Sequence, residues 1–514
     1  MGFASIDYLV VIAYLAGVTV FGILISGKQR SASDYFLGGR RIPWWAVLFS
    51  VVATETSTLT FISIPAVAYG GNLTFLQITF GYILGRTAVS LVFLPKYFQG
   101  DLSTAYQFLG NRFGPGMRTI ASTTFMVTRL LADGVRLFAS AIPIAIIFRL
   151  AGIPASDLNI YLLSIFIIAA VTLVYTLLGG IKAVVWMDVV QMGIYVGGAF
   201  LAAAIILSRL PEGLGGVMKA AEEAGKLKFI DLGAGLSLRD FIAQPYTFFT
   251  ALIGGGVFSI ASHGTDQLIV QRLLATRNLR SGQKALIGSG FVVFCQFAFF
   301  LFIGMLLFGF YNGQTPGQLG LATTDEIFAK FIVEELPAGL SGLIIAAILA
   351  AAMSTLSSSI NSLASSTALD IYKPYWGKNN PPAKDLRISR WIAMGWGVII
   401  TASAFAFAFL QLQSSGERPA VVELGLGIAS YTYGGLLGVF LLGILSPKLR
   451  LPDAVAGFFS GLIALIFLVE GPLQNLLPGD GLTIAWPLYT LVGSLIVLIA
   501  GHLSYLYRYF RKQS

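Results

Sequence analysis

Apolar runs of about twenty residues recur along the whole chain, and they constrain its fold more than any other feature. Each run predicts a membrane span, because about 20 apolar residues make a helix that crosses the roughly 30 Å hydrocarbon core of a bilayer. Only 11% of the residues are charged, so no long segment has the composition of a soluble domain. A β-barrel would need strands of about 10 alternating residues, whereas these runs are continuous. The sequence therefore predicts an all-α integral membrane protein.

The apolar runs place about thirteen transmembrane helices. They lie at 6–25, 43–69, 73–95, 119–148, 159–178, 183–208, 240–265, 285–310, 339–369, 391–412, 421–445, 453–470 and 485–507. About two thirds of the 33 Lys and Arg residues fall in the connections after odd-numbered spans and in the tail. By the positive-inside rule this side is cytoplasmic. We therefore expect a multi-pass cell-membrane protein, in a bacterial inner membrane, with its N-terminus outside and its C-terminus in the cytoplasm.

Residue types exclude several other functions. The single cysteine, Cys295, excludes disulfides and a cysteine metal site, and two histidines, His263 and His502, do not make a histidine cluster. No nucleophile–base pair or cofactor motif is recognisable, so enzymatic activity is not expected. The basic clusters are read as topological signals, which excludes nucleic acid as a partner.

Two spans contain segments that interrupt their apolar character. The first, at 53–60, reads Ala-Thr-Glu-Thr-Ser-Thr-Leu-Thr, and the second joins the glycines at 254–256 to the polar residues at 262–266. Interrupted helices at matching positions in two halves point to the binding site of a transporter. Spans 2–6 and 7–11 then form two five-helix repeats. The alternative is that these glycines and hydroxyls only mark helix contacts.

Few ionisable residues lie deep in the spans, and each is a candidate functional group because charge is costly there. They are Glu55, Arg86, Arg129, Asp133, Arg136 and Asp188. Arg129, Asp133 and Arg136 share one helix face. Either one arginine binds a substrate carboxylate, or the three neutralise one another as a structural group. Glu55 could instead accept hydrogen bonds from hydroxyls or an amine, which favours a polyol, sugar or zwitterion.

Span 9 carries a dense set of hydroxyl side chains after the apolar run 343–352. The polar set comprises Ser354, Thr355, Ser357, Ser358, Ser359, Asn361, Ser362, Ser365, Ser366 and Thr367. Carbonyls freed by a helix break, together with such hydroxyls, supply the hard oxygen ligands that sodium prefers. The alternative is that the serines hydrogen-bond to carbonyls of their own helix or hold helices together.

Several motifs in order over about residues 7–450 resemble those of the sodium/solute symporter family. They are the segments 34–40, 43–45, 175–191, 266–272 and 351–372. The resemblance implies a LeuT-type 5+5 inverted repeat with one helix before the core and two after it. This arrangement divides the chain into 1–42, the first repeat 43–208, an extracellular loop 209–239, the second repeat 240–446 and the C-terminal part 447–514. The implied activity is sodium:solute symport of a small polar organic solute by alternating access.

The resemblance also implies ligand residues. For a first sodium ion they are the carbonyls of Ala53, Thr56 and Ala351 and the hydroxyls of Ser354 and Thr355. For a second sodium ion they are Asp188, Ser354, Ser357 and Ser358, so one or two ions are expected.

The substrate residues match the sialic acid branch of the family only in part. Ser57, Thr60 and Phe75 match it, whereas Glu55 replaces a threonine, Thr79 replaces a glutamine and the arginines, including Arg136, are displaced. The substrate is therefore left open among sugars, sialic acids, monocarboxylates, amino acids and vitamins.

Two other functions fit the same sequence. A proton-coupled or uncoupled permease of the same fold would use Asp188 or Glu55 as its titrating group, and a solute-sensing membrane receptor is a third possibility. The expected partners are a small solute and the lipid bilayer. The sequence does not specify an oligomeric state.

Overall fold

The computed structural model describes residues 4–150, 156–321, 323–413, 421–468 and 484–511. Over these ranges the chain contains helices and no strand, which confirms the all-α prediction. The helices are α1 (Ser5–Ser26), α2 (Ala32–Leu37), α3 (Trp44–Glu55), α4 (Thr58–Gly70), α5 (Ile78–Gln99), α6 (Ala105–Phe113), α7 (Pro115–Leu150), α8 (Asp157–Arg209), α9 (Gly213–Glu223), α10 (Leu238–Ala243), α11 (Phe248–Gly264), α12 (Gln267–Leu274), α13 (Leu279–Phe310), α14 (Glu326–Glu334), α15 (Leu340–Ser366), α16 (Lys373–Tyr375), α17 (Pro382–Gln413), α18 (Val421–Leu445), α19 (Leu451–Leu468) and α20 (Tyr489–Phe510).

Among the described residues, eight helical segments are long and apolar enough to cross a membrane, and the bent pair α3 and α4 makes a ninth. Helix α8 has 53 residues, about 80 Å at 1.5 Å per residue, which is more than twice the hydrocarbon thickness. It covers the expected spans 159–178 and 183–208, and Gly180 separates them with φ 56° and ψ −157°. The count of thirteen spans stays a prediction, and the end of the span expected at 453–470 lies outside the described residues.

The first expected interruption is a break between α3 and α4. The two helices meet at an angle of 60°. Thr56 and Ser57 lie between them, and the Ser57 N–H donates to the Glu55 carbonyl at 3.1 Å instead of continuing the helical ladder. The chain resumes its helix at Thr58, so backbone groups without their regular helical hydrogen bonds lie inside the bundle at this point.

The second interruption lies later than the sequence suggested. Helix α11 is continuous through the glycines at 254–256 and ends at Gly264; α12 begins at Gln267, with Asp266 as its N-cap. Gly255 and Gly256 instead allow close packing against α5, since a Cβ on Gly81 would lie 2.6 Å from the Gly256 nitrogen, and Gly254 packs against Pro487. For residues 254–256 the helix-contact alternative was therefore the right one, and the break occurs only at 265–266.

Helix α15 lies at the centre of the bundle, packed against α7, α8 and α1. Its polar side chains from Ser354 to Ser366 are all buried. Several of them bond to their own helix: the Ser359 hydroxyl donates to the Thr355 carbonyl at 3.1 Å, and the Ser362 hydroxyl donates to the Ser359 carbonyl at 3.1 Å. Some hydroxyls on this helix are thus satisfied locally, and others bond across to neighbouring helices.

Candidate substrate cavity and sodium sites

A cavity of about 120 Å³ lies beside the break between α3 and α4. Its walls come from both broken helices and from α5, α7, α13 and α18, so the two interruptions border one space. The lining residues are Thr54, Glu55, Ser57, Thr60, Ile64, Phe75, Tyr82, Arg86, Arg129, Arg136, Phe258, Ser262, His263, Leu268, Ile269, Phe297, Ala429 and Tyr433. An apolar wall with a few convergent polar groups is typical of a small-molecule site.

Glu55, the last residue of α3, forms an ion-pair cluster with α5 and α11. Arg86 Nη2 donates to Glu55 Oε2 at 2.6 Å, and His263 Nε2 contacts Glu55 Oε1. Arg86 is fully buried, and its Nη1 donates to the Ser289 hydroxyl at 2.6 Å. The Glu55 side chain keeps 19% exposure, so a carboxylate whose charge Arg86 already balances borders the cavity.

Arg129 of α7 is bound to the second helix break. Its Nη2 contacts Asp266 Oδ2 and donates to the Tyr433 hydroxyl at 2.7 Å; that hydroxyl donates to Asp266 Oδ2 at 2.5 Å. The other oxygen of Asp266 accepts from the Leu268 N–H at 2.8 Å and caps α12. Arg129 therefore holds α7 against the start of α12, and its charge is balanced by Asp266.

Arg136 lies two turns further along α7 and lines the same cavity. Its Nη1 is 3.6 Å from Asp133 Oδ1, while Arg129 Nη1 is 3.5 Å from the same oxygen. Both distances exceed those of good hydrogen bonds. The Arg136 side chain keeps 17% exposure, against 6% for Arg129. Of the two arginine side chains at the cavity, that of Arg136 is the more exposed.

The other expected substrate residues are not all at the cavity. Ser57, Thr60 and Phe75 line it, the first two on either side of the start of α4. Thr79 is buried and is not among the lining residues, and its hydroxyl donates to the Leu76 carbonyl at 2.6 Å. Five of the six expected substrate residues therefore line the cavity, and Thr79 is buried outside its lining.

The break supplies the carbonyls expected for the first sodium ion. Because the Ser57 N–H turns to Glu55, the Ala53 carbonyl loses the helical bond it would accept from residue 57. Thr56 lies outside both helices. Its N–H and its hydroxyl are both 2.9 Å from the Val52 carbonyl, so the side chain folds back on α3 and leaves the Thr56 carbonyl beyond the helix end.

Helix α15 faces this break. The Thr58 hydroxyl donates to the Ile348 carbonyl at 3.2 Å, and the Thr54 hydroxyl is 3.3 Å from the Ser358 hydroxyl. The break is thereby held against the segment of α15 that lies between these two contacts and contains residues 351–355. The carbonyl and hydroxyl groups expected to bind sodium therefore come from two helices in direct contact.

The two hydroxyls of this set already donate their protons. The Ser354 hydroxyl donates to Asp188 Oδ1 at 2.6 Å, and the Thr355 hydroxyl donates to the Ala351 carbonyl at 3.1 Å. A hydroxyl that donates its only proton still has two oxygen lone pairs. Both oxygens can therefore bind a cation.

Asp188 of α8 is fully buried and forms an ion pair with Arg272 of α12. Its Oδ2 accepts from the Ser50 hydroxyl at 2.5 Å and lies 3.3 Å from Arg272 Nη2. Arg272 is also fully buried, and its Nε donates to the same Ser50 hydroxyl at 2.9 Å. The carboxylate expected to bind a second sodium ion thus already has a cation beside it.

The two remaining residues expected at the second sodium site have different neighbours. The Ser358 hydroxyl contacts Arg272 Nη2, whereas the Ser357 hydroxyl donates to the Ser354 carbonyl at 3.0 Å. The guanidinium of Arg272 therefore lies between Asp188 and Ser358, where the family resemblance implies a second sodium ion.

A model of the sodium:solute symporter family matches residues 35–461, which is most of the chain. The chain belongs to the sodium:solute symporter family. It is therefore a sodium-coupled solute symporter in a membrane and is not an enzyme, as the sequence predicted.

Curated relatives and a solved structure agree with this assignment. The symporter is 30% identical to a sodium/sialic acid symporter of Aliivibrio fischeri over 98% of this chain and 93% of the relative. It is 31% identical to a sodium/sialic acid symporter of Proteus mirabilis over 97% and 94%. A substrate-bound, outward-open sodium-coupled sialic acid symporter matches with a TM-score of 0.83, 29% identity and 98% of both chains. The expected LeuT-type fold is confirmed.

Sequence reasoning missed three groups at the centre of the symporter. His263, Asp266 and Arg272 are buried partners of Glu55, Arg129 and Asp188, but none was among the deep ionisable residues named from the sequence. The ionisable residues named from the sequence are three acids and three arginines, so their formal charges cancel. Their total charge therefore gave no reason to look for further partners. The interrupted segment at 262–266 had marked His263 and Asp266, and the motif at 266–272 had marked Asp266 and Arg272, but neither pattern indicated their charged partners.

Proposed function

We propose that the symporter imports a small hydroxylated carboxylate together with sodium. The observation that carries this proposal is the cavity itself, which is lined by the partly exposed side chain of Arg136 together with Ser57, Thr60 and Glu55. A guanidinium suits a carboxylate because its planar N–H groups can bind both oxygens. Hydroxyls and a carboxylate suit the hydroxyl groups of a sugar-like substrate.

The state of Glu55 favours substrate hydroxyls over a substrate ammonium. Arg86 and His263 already contact the two Glu55 oxygens. An ammonium would add another cation beside Arg86 in a largely buried site, whereas a hydroxyl adds a hydrogen bond without charge. Sialic acid, the substrate named for the two bacterial relatives, is itself a hydroxylated carboxylate. Glu55 stands where the resemblance implies a threonine, so other members of this class have to be tested beside it.

The first sodium site is the coupling site in this proposal. Sodium would bind the carbonyls of Ala53, Thr56 and Ala351 and the hydroxyls of Ser354 and Thr355, which joins the break at α3–α4 to α15. Because the same break borders the cavity, sodium favours the conformation in which the substrate groups are assembled. The described geometry supports this set through the released Ala53 carbonyl and the two hydroxyls that donate elsewhere.

The second sodium site is secondary in this proposal. A sodium ion beside Asp188 would add a positive charge to a buried pair that Arg272 already neutralises. It would bind there, with Ser357 and Ser358, only after Arg272 has moved away. The membrane potential supplies about 2.3 kcal/mol per 100 mV for each sodium ion that moves inward. At 100 mV, one ion therefore supplies about 2.3 kcal/mol and two ions about 4.6 kcal/mol.

The orientation and the division of the chain belong to the same proposal. The distribution of basic residues supports an outside N-terminus and a cytoplasmic C-terminus. The breaks at the start of the segments 43–208 and 240–446 support two repeats, with 1–42 before them, 209–239 between them outside the membrane and 447–514 after them.

Thermal stabilisation of the purified symporter tests substrate class and coupling together. The panel contains sialic acids, sugar acids, the matching neutral sugars, monocarboxylates, amino acids and vitamins, each with sodium and with potassium. A ligand at 100 times its Kd stabilises the state it binds by about 2.7 kcal/mol. We expect sodium-dependent stabilisation by hydroxylated carboxylates. Stabilisation by neutral sugars or amino acids alone would overturn the substrate class, and equal stabilisation in both cations would overturn the coupling site.

A further inference from the structure

An open groove lies outside the substrate cavity, between the first half of α8 and the start of α17. It encloses about 330 Å³, and its lining includes Leu177 and Leu178 on α8 and Arg387, Arg390, Trp391 and Met394 on α17. The four α17 residues recur at spacings of three and four, so they form one face of that helix. None of the groove residues lines the substrate cavity.

Two cations in this groove lack acidic partners. Arg387 is exposed and makes no hydrogen bond or ion pair with any described residue. Arg390 donates from Nη2 to the Gln29 side chain at 3.0 Å, but within the described ranges its buried Nε has no partner. The nearest acid along α17, Asp385, is already bound to Lys373. The groove therefore presents guanidinium donors that no described carboxylate neutralises.

The rest of the groove is apolar, and it continues into an exposed face of α17. Leu178 is 45% exposed and Met394 40% exposed, and the same face of α17 continues through Val398 at 58%. Large apolar side chains exposed on a membrane helix face the lipid chains. Trp391, 61% exposed, lies between the arginines and this apolar stretch, as tryptophan does at the boundary between head groups and hydrocarbon.

We propose that this groove binds an anionic phospholipid. Arg387 and Arg390 hold the phosphate, and the acyl chains run along Leu178 and Met394. Arginines without acidic partners, at the ends of membrane helices, fit an anionic head group. A free phosphate would use only the arginines and leave the apolar half of the groove unfilled, so the lipid is the better match. The proposal does not depend on which solute is transported.

Native mass spectrometry of the purified symporter with equal amounts of phosphatidylglycerol and phosphatidylcholine tests the proposal. We expect phosphatidylglycerol to be retained in preference. Each arginine near an anionic head group contributes about fivefold, so the double variant Arg387→Ala, Arg390→Gln should retain it about 30-fold less tightly. The matched control is Lys448→Ala, Arg450→Ala, which removes the same charge at two exposed positions outside the groove. A similar loss in the control would overturn the proposal.

A second measurement leaves both arginines in place. Phosphatidylglycerol with brominated acyl chains should quench tryptophan fluorescence in the unmodified symporter, and Trp391→Phe should remove that part of the quenching. Equal quenching by brominated phosphatidylcholine would show a surface without head-group preference and would overturn the proposal. Displacement of the bound phosphatidylglycerol by an equal concentration of inorganic phosphate would reassign the groove to free phosphate.

Discussion

Replacing Thr355 by valine removes one proposed sodium ligand with little change of shape. Thr355 is 4% exposed, and its hydroxyl donates to the Ala351 carbonyl at 3.1 Å. Valine fills nearly the same volume and keeps the side chain branched at Cβ. In the sodium-free protein the only expected loss is that one hydrogen bond, because the Ala351 carbonyl lies inside α15 and keeps its backbone partner.

Loss of the hydrogen bond and loss of the sodium ligand should differ in size, so the two effects can be told apart. Loss of a hydroxyl–carbonyl hydrogen bond lowers the free energy of unfolding by about 0.5–1.5 kcal/mol. A polar contact to a charged group contributes about 1.5–3 kcal/mol, so loss of the sodium ligand should raise the half-saturating sodium concentration about 10- to 150-fold. Thr355→Val should therefore fold nearly as well as the unmodified protein and need much more sodium.

Sodium-dependent uptake into proteoliposomes measures this shift, with choline replacing sodium at constant osmolality. Ser359→Ala is the matched control: Ser359 is buried on the same helix, its hydroxyl donates to the Thr355 carbonyl at 3.1 Å, and it is not a proposed ligand. Its half-saturating sodium concentration should stay within about twofold of the unmodified value. A folded Thr355→Val protein with an unchanged sodium requirement would refute the site.

Three further substitutions test the packing, the substrate group and the buried ion pair. Gly81→Ala should lower the yield of folded protein, because the added Cβ has no space against α11. Gly193→Ala is the control and should fold normally, because a Cβ added there has no neighbouring atom within 4 Å. Equal yields of the two variants in size-exclusion chromatography would contradict the close packing of α5 and α11. Arg136→Gln should weaken binding of carboxylate substrates about 10- to 150-fold but spare their amides, and an equal loss for both would contradict a carboxylate contact. Arg272→Gln leaves Asp188 without its cation, so the sodium-free protein should lose about 3–5 kcal/mol of stability. Sodium should then raise the melting temperature of this variant more than that of the unmodified protein. An equal rise in both proteins would contradict a competition between Arg272 and sodium for Asp188.

The helical class and the first break could be predicted because hydropathy and polarity report them directly. Residues 53–60 combine a carboxylate and hydroxyls inside an apolar run, and the break occurs at Thr56 and Ser57. The glycines at 254–256 were misleading, because glycine permits a break and also permits close contact between helices. Which of the two applies depends on the neighbouring helix, here α5, and the neighbour is not visible in the local sequence.

The candidate site was predictable in its residue types but only partly in its pairing. The i, i+4, i+7 spacing on α7 left two alternatives: either Arg129, Asp133 and Arg136 neutralise one another, or one arginine binds a substrate carboxylate. In the structure Asp266, from a distant part of the chain, takes Arg129 instead and leaves Arg136 accessible. Long-range partners of this kind follow from the packing of the broken helices, so spacing along one helix could not predict them.

Ser354 connects the two proposed sodium sites and suggests how Asp188 acts without binding an ion. The Ser354 proton is directed to Asp188 at 2.6 Å, which leaves the hydroxyl oxygen free for the first site. Asp188 is fully buried beside Arg272, and the Ser50 hydroxyl bridges the pair. The aspartate can thus orient Ser354, a proposed ligand of the first sodium ion, while Arg272 lies where the second ion is proposed to bind. In the proposed mechanism, a shift of Arg272 away from Asp188 would expose that carboxylate to a second sodium ion.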